Sequence, residues 1–428
     1  MLGKIDKSLM NDICNYNEFK GWLLSRRWFG DKSVLANLEF KVNVTYFQIL
    51  AERIFLMIIE IEKGDYRKAY FLPLIFYKKL YNILEKSERE SKNVVKITEN
   101  TFSKMIALEI EGKSKVFNLN LMEAEFSVFF WKKLLFDKNI AEKFPDYNVG
   151  LTLHEEQFQD QENMKKVQAL IEASLYRDVY SLSMKQLGKG NTTNILFSLK
   201  LTRIKNPEES YTYVLKSYKE YAESLEPTKL FALVKNNFPH APKIYGSLYI
   251  KDKASIGIQE SVPNDGNLGD IFWNELNRMV SGTFAELNKN YDFISDKLER
   301  DSLINQYCQE TLQASAEIGN YIEKLHNALI LEDDEDFQKR DIQSQEFLDT
   351  YTSKLEEMIS EIQNTIQQKS KEAFYNLPKI SSILIDIKDI IEKFKTDFKL
   401  EVITIQPVHQ DLHMEQILYN RQNEHHEF

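Results

Sequence analysis

The chain has 428 residues, 43% of them hydrophobic and 28% charged, and a formal charge of -10. That length allows two or three packed domains, and that composition is ordinary for a globular protein. The acidic balance argues against a nucleic-acid or anionic-membrane partner, because such surfaces require clustered Lys and Arg, and Ser25-Arg26-Arg27 is too short to reverse it.

The N-terminal stretch lacks the apolar core of a signal peptide. The longest apolar run, Ile54 to Ile59, is too short to span a bilayer. Cys14 and Cys308, far apart in sequence, form neither a disulfide framework nor a cysteine zinc site. These features predict a cytoplasmic protein. Residues 38–50 and 53–61 alternate with period two and are rich in β-branched and aromatic side chains, so they read as strands, with Lys63–Asp65 as a hairpin loop. A helix from Glu123 through Phe136 closes this β-rich front module, residues 1–150. Residues 157–166 are polar and read as a linker or an exposed helix.

Residues 183–202 then give strand, Gly-containing turn and strand, and Tyr211–Tyr218 (YTYVLKSY) gives a strand ending near Lys216. A helix follows, with Pro227 suited to its first turn. Two more strands lead to Pro263. Residues 151–262 are therefore a small mixed-sheet lobe, and 263–428 a large helical lobe. Within the last lobe Leu348, Tyr351, Leu355, Met358, Ile362 and Ile366 recur at three- and four-residue spacing. The stripe covers fewer than three heptads, which fits one apolar face of a bundle helix better than a coiled-coil partner surface. A small sheet lobe joined to a helical lobe is the layout that holds ATP in kinases, so the expected fold is α+β, bilobal and protein-kinase-like, with an N-terminal cap module.

The chemistry concentrates in PVHQDLHMEQILYN, Pro407 to Asn420. Asp411 and Gln416 stand five apart. Protein kinases use an Asp and, five residues on, an amide side chain to orient the attacking hydroxyl and to hold Mg²⁺, a hard ion that takes oxygen ligands. His409 would brace the loop. Asp411 could instead cap a helix beginning near Leu412. A third reading makes His409, Asp411 and His413 metal ligands, with His425-His426 completing a hydrolase centre. Lys216 is either a cation at a cleft or a snorkelling surface residue. The turn Gly188–Asn194 (GKGNTTN) is either a phosphate cradle or a hairpin turn.

Taken in order, these segments resemble the bacterial maltokinases, members of the aminoglycoside-phosphotransferase-like kinases. Trp22–Ser33 (WLLSRRWFGDKS) is similar to their Arg-Trp-Phe cap signature, VLKSY to the strand bearing the ATP lysine, IQESVPNDGN to the hinge, and VHQDLHMEQIL to the catalytic loop. The resemblance implies ATP and Mg²⁺ as cofactors and phosphorylation of maltose at C1. Glucosamine kinases share the cap signature and the Asp-x-His-x-x-Gln pattern and give the alternative acceptor. It further implies that Asp411 orients or deprotonates the sugar hydroxyl, Gln416 ligates Mg²⁺ and Lys216 contacts the α/β phosphates. Asn191, Thr192 and Thr193 would approach the phosphates, and the backbone of Gln259, Glu260, Ser261 and Val262 would receive adenine. Association with trehalose synthase is implied as well. Arg27, Trp28 and Phe29 are expected in the cap core, and His326 ends a packed helix.

Three departures qualify this. Gln410 and Glu415 stand where glycines are usual, which restricts the loop backbone. Thr228 and Leu230 stand where glutamates are expected, leaving Glu223 and Glu226 as candidate partners of Lys216. The metal-holding Asp-Phe-Glu segment expected beyond the loop is not reached by Glu427-Phe428, so the chain reads as an incomplete kinase sequence that is inactive alone, or as a non-catalytic kinase-fold binding protein.

Overall fold

The structure is a computed structural model and describes residues 6–30, 32–35, 37–51, 54–77, 103–110, 113–135, 149–176, 179–187, 194–222, 224, 226–287, 297–369, 377–398, 401–409 and 412–420. Helix and strand are mixed, and the chain divides into two compact units, 1–265 and 266–428.

The first unit opens with α1 (Lys7–Cys14), α2 (Asn17–Ser25) and α3 (Lys32–Leu35). Asp6 starts α1 by accepting the Leu9 backbone N–H at 3.0 Å, satisfying a donor that the first helical turn leaves open. Six strands follow: β1 (Lys41–Ala51), β2 (Ile54–Lys63), β3 (Tyr66–Phe71), β4 (Leu74–Tyr77), β5 (Ser103–Ile110) and β6 (Lys113–Glu123). They pair antiparallel in the order β1-β2-β4-β6-β5, with β3 also on β2. In β1 buried and exposed positions alternate as the sequence predicts. In β2 every residue from Ile54 to Ile59 is buried, because both faces of that strand are covered. The expected closing helix is α4 (Val128–Leu135), entered through a single 3₁₀ turn at Ala124–Phe126.

A second sheet is built from β7 (Val149–Leu153), β8 (Tyr180–Leu187), β9 (Asn194–Arg203), β10 (Ser210–Tyr218), β11 (Ile244–Ile250) and β12 (Lys253–Glu260), in the order β7-β11-β12-β10-β9-β8. Between β7 and β8 lies α5 (Gln161–Leu175), and between β10 and β11 lies α6 (Glu226–Lys235). The segment expected as a linker or exposed helix buries Phe158, and α5 turns Val167 and Leu170 into the core. The first turn of α5 is largely exposed, as expected, and its apolar face begins beyond that segment, at Val167.

One hydrophobic core runs through both sheets, from Met10 to Ile258. The sheets are also stitched by backbone: the Phe71 N–H donates to Lys219 O and the Tyr221 N–H to Ala69 O, both at 2.8 Å. The Arg-Trp-Phe signature sits at this seam. Trp28 and Phe29 are buried and Arg27 is exposed. Trp28 Nε1 donates to Glu123 Oε1 at 2.5 Å, and Arg26 pairs with the same carboxylate at 3.4 Å. Beside it, Lys219 and Glu125 form a wholly buried ion pair at 2.5 Å.

The second unit contains β13 (Gly266–Asn267), α7 (Leu268–Leu287), α8 (Lys297–Tyr307), α9 (Gln309–Ala328), β14 (Arg340–Gln343), α10 (Ser344–Lys369), α11 (Leu377–Asp397), β15 (Val402–Ile405) and β16 (Leu418–Tyr419). Glu275 on α7 accepts the Thr311 backbone N–H at 2.8 Å and so caps α9. The apolar stripe read along α10 is only partly its packed face. Leu348 and Ile359 are buried, and Leu355 and Ile366 pack on a cluster with Leu384 and Ile391 of α11, whereas Tyr351, Met358 and Ile362 are exposed. No helix among the described residues is long and apolar enough to cross a membrane.

Candidate functional site

β10 is an interior strand whose two faces differ. Tyr213, Leu215 and Ser217 point into the core, while Lys216 lies on the opposite, half-buried face. Lys216 pairs in register with Gly257 of β12 and Leu196 of β9. With no side chain opposite it on β12, it can lean toward the helix that follows.

That helix, α6, begins at Glu226, where a carboxylate is favoured by the positive end of the helix dipole. Glu226 holds Lys216 Nζ through both oxygens, at 2.7 and 2.8 Å. Of the two acidic partners considered from sequence, the structure joins Glu226 to Lys216; Glu223 lies outside the described residues. Gln259 on β12 donates its side-chain Nε2 to Glu226 Oε1 at 2.8 Å. Tyr218 completes the cluster. A Cβ on Gly257 would come within 2.8 Å of its hydroxyl, so the glycine makes room for the phenol. Burial, with the Glu226 carboxylate nearby, pushes the Tyr218 hydroxyl well above the usual tyrosine range, so it remains protonated and neutral. That hydroxyl is shielded from solvent and lies among Glu226, Gln259 and Gly257.

The four residues assigned to adenine occupy two different settings. Gln259 pairs with Val214 on one side and Ile244 on the other, so its backbone lies inside the sheet. Glu260 donates its N–H to Lys243 O at 2.8 Å, and its carboxylate faces Lys243 and Lys166, each at 3.6 Å. Ser261 and Val262 lie beyond the ladder, where the Val262 carbonyl accepts Asn264 Nδ2 at 3.0 Å.

The remaining assigned residues belong to the second unit or lie outside the described residues. Asn191, Thr192, Thr193 and Asp411 are in the latter group, as are Gln410 and His425-His426. His409 is half-buried, with Nδ1 sheltered from solvent, and His413 and Gln416 are exposed. Gln416 ends a 3₁₀ turn, Met414–Gln416, closed by its N–H on His413 O at 2.9 Å, rather than an α-helix capped at Asp411. The turn is fixed against the start of α7. Leu268 N–H donates to Ile417 O at 2.8 Å, Gly266 pairs with Tyr419, and Ile417 and Tyr419 pack on Leu268, Ile271 and Ala314. Gly266, at φ +150°, adopts a backbone that side-chain-bearing residues avoid, and a Cβ there would meet Asp270 Oδ2 at 2.9 Å. His326 is half-buried in the last turn of α9.

Among the described residues no group of three or more His, Cys, Asp or Glu converges on a metal position. Gln416 brings one neutral oxygen, where Mg²⁺ takes one or two carboxylates besides phosphate. The described donors thus fall short of a magnesium site.

No family model matches the chain, and no curated protein does. Among solved structures it is similar to a glucosamine kinase in complex with glucosamine, ADP and inorganic phosphate, at 12% identity and a TM-score of 0.42, covering 89% of this chain and 65% of that one. Crystal form A of a glucosamine kinase gives 11% identity, a TM-score of 0.42 and coverage of 89% and 63%; form B gives 12%, 0.39, and 89% and 64%. The chain therefore spans just under two thirds of the length of these structures. At this distance the likeness says nothing of the reaction.

Proposed function

We propose that this protein is an ATP-dependent sugar kinase that phosphorylates maltose to maltose 1-phosphate. The observation that supports this most is the Lys216–Glu226 pair, a lysine on an interior strand held by the first residue of the following helix. Protein kinases hold the lysine that meets the nucleotide phosphates in the same way, by a carboxylate from the next helix. Glu226 fixes the ammonium without burying it, so the charge remains available to a phosphate.

In this reading Lys216 meets the α/β phosphates, with Asn191, Thr192 and Thr193 donating beside it. The backbone of Ser261 and Val262, the first residues free of the ladder, receives the adenine edge. Asp411 accepts the proton of the sugar hydroxyl, whose oxygen forms the new bond to the γ-phosphorus as the bond to the β–γ bridging oxygen breaks, releasing ADP. His409 braces the Asp411 loop, and Gln416 would offer one oxygen to Mg²⁺, whose charge would offset that of the phosphates.

Two measurements test the proposal. Wild-type chain binds ATP, and Lys216→Met weakens that binding by about 10- to 100-fold, the size of a lost charged hydrogen bond. The complete gene product, given ATP and Mg²⁺, then forms ADP in the presence of maltose. ADP with glucosamine and not maltose would overturn the acceptor and keep the reaction. Absence of ATP binding by the wild type would overturn the class, and stoichiometric zinc lost on changing His409 or His413 would put a metal hydrolase in its place.

A further inference from the structure

Gln259 engages the site through its side chain. Its backbone is committed to two neighbouring strands, and its side chain, only 6% exposed, has its Nε2 2.8 Å from Glu226 Oε1. Glu226 Oε1 also accepts from Lys216 Nζ at 2.8 Å, so one oxygen serves two donors from adjacent strands, β10 and β12. A salt bridge of this exposure, 22% and 29% for the two side chains, is weak when left alone, because both chains lose rotamer freedom to form it. A neutral amide donor with almost no freedom of its own removes part of that penalty: it holds the carboxylate where the lysine must find it. The other groups facing Glu226 are Tyr218 on β10 and Lys229 on α6, and burial keeps the Tyr218 hydroxyl protonated, so it adds no charge.

We propose that Gln259 is a positioning residue: its side-chain amide fixes Glu226, and through it the lysine that receives the nucleotide phosphates, before any nucleotide arrives. The consequence for nucleotide rests on the role of Lys216 proposed above; the bracket itself does not.

Two variants of the full chain test it. Gln259→Leu keeps the bulk and removes the donor, and weakens ATP binding about tenfold, the loss of one hydrogen bond to a charged group. Gln259→Glu sets a second carboxylate against Glu226. Two carboxylates at that distance share one proton, so one of them titrates well above the usual range. The ratio of variant to wild-type ATP affinity is therefore lowest near about pH 8 and recovers as the pH falls toward about 5.5, where the pair holds its proton. The thermal midpoint without nucleotide recovers over the same interval. Burial alone would also raise the new carboxyl, so the bracket is tested by adding Glu226→Gln to Gln259→Glu: with the facing carboxylate gone, the acid recovery should shrink. If Gln259→Leu binds ATP as the wild type does and the Gln259→Glu midpoint runs parallel to the wild type at every pH, the inference fails while the kinase reading stands. If the wild type binds no ATP but the midpoint of Gln259→Glu recovers in acid and loses that recovery when Glu226→Gln is added, the bracket stands and the kinase reading fails.

Discussion

Two lysine–glutamate pairs have lysines three residues apart, the first on β10 and the second just past its end, and they differ in depth. Lys216–Glu226 is partly solvated, at 22% and 29% exposure; Lys219–Glu125 is at 0% on both sides. The inner pair is ringed by Trp28 and Phe71, whose ring centres lie 4.7 and 5.7 Å from Lys219 Nζ, and Ser217 Oγ donates to Glu125 Oε1 at 3.1 Å. Burial, opposed by Lys219, pushes the Glu125 carboxyl above the usual carboxylate range. A buried pair cannot release one partner without stranding a charge in a dry interior. The outer pair stands near break-even, so its lysine can leave the carboxylate with little loss. Depth is what separates the two pairs.

The largest effect expected from breaking this contrast falls on the inner pair. Lys219→Met leaves Glu125 buried alone and should remove about 3–5 kcal/mol of stability by urea denaturation. The double variant Glu125→Leu with Lys219→Met should recover most of it, because replacing both charges leaves none unpaired. A single variant as stable as the wild type would show that the seam carries no such charge. The same pair sets a pH dependence. A carboxyl whose folded value is raised binds its proton more tightly in the folded chain, so its contribution is complete below the ordinary glutamate value of 4.5 and is lost as the pH rises through the raised one. The wild type should therefore lose stability relative to the double variant as the pH climbs from 4.5.

A smaller effect is expected at Gly257, where a methyl group would come within 2.8 Å of the Tyr218 hydroxyl and 3.5 Å of its ring. Gly257→Ala should lower stability by about 1–3 kcal/mol through overpacking. Adding Tyr218→Phe, which removes the atom nearest the new methyl, should return part of the loss. Additive losses would mean that the two positions do not touch.

What the sequence disclosed follows the same division. Lys216 was legible because a lone cation closes an apolar strand, and the strand–helix order around it was legible from changes of period. Glu226 was reached only as one of two candidates, since the start of a helix fixes which acid faces the strand. The Lys219–Glu125 pair left no signal, because residues 94 apart in the chain meet only when the two sheets share a core. Gln259 was assigned by its backbone. On a strand buried on both faces the apolar pattern carries no parity, so the direction of the side chain had to come from the register with Val214 and Ile244. The stripe on α10 held only in part: Leu348 is buried and Leu355 and Ile366 pack toward α11, but Tyr351, Met358 and Ile362 keep the spacing and are exposed, while Ile359, outside the stripe, is buried there.

The smallest expected change in stability is the one that sharpens the comparison most. Lys216→Met removes the same charge as Lys219→Met, three residues away, yet it should shift unfolding by less than about 1 kcal/mol, the usual worth of a solvent-reached ion pair. Glu226 keeps the Gln259 amide at 2.8 Å and access to water, so no charge is stranded when the lysine goes. Its loss should register in ATP affinity and hardly at all in the urea midpoint, the reverse of what Lys219→Met does. If Lys216→Met instead unfolds the chain as readily as Lys219→Met, the outer pair is holding the sheet to α6, and an ammonium so occupied is not free to meet a phosphate.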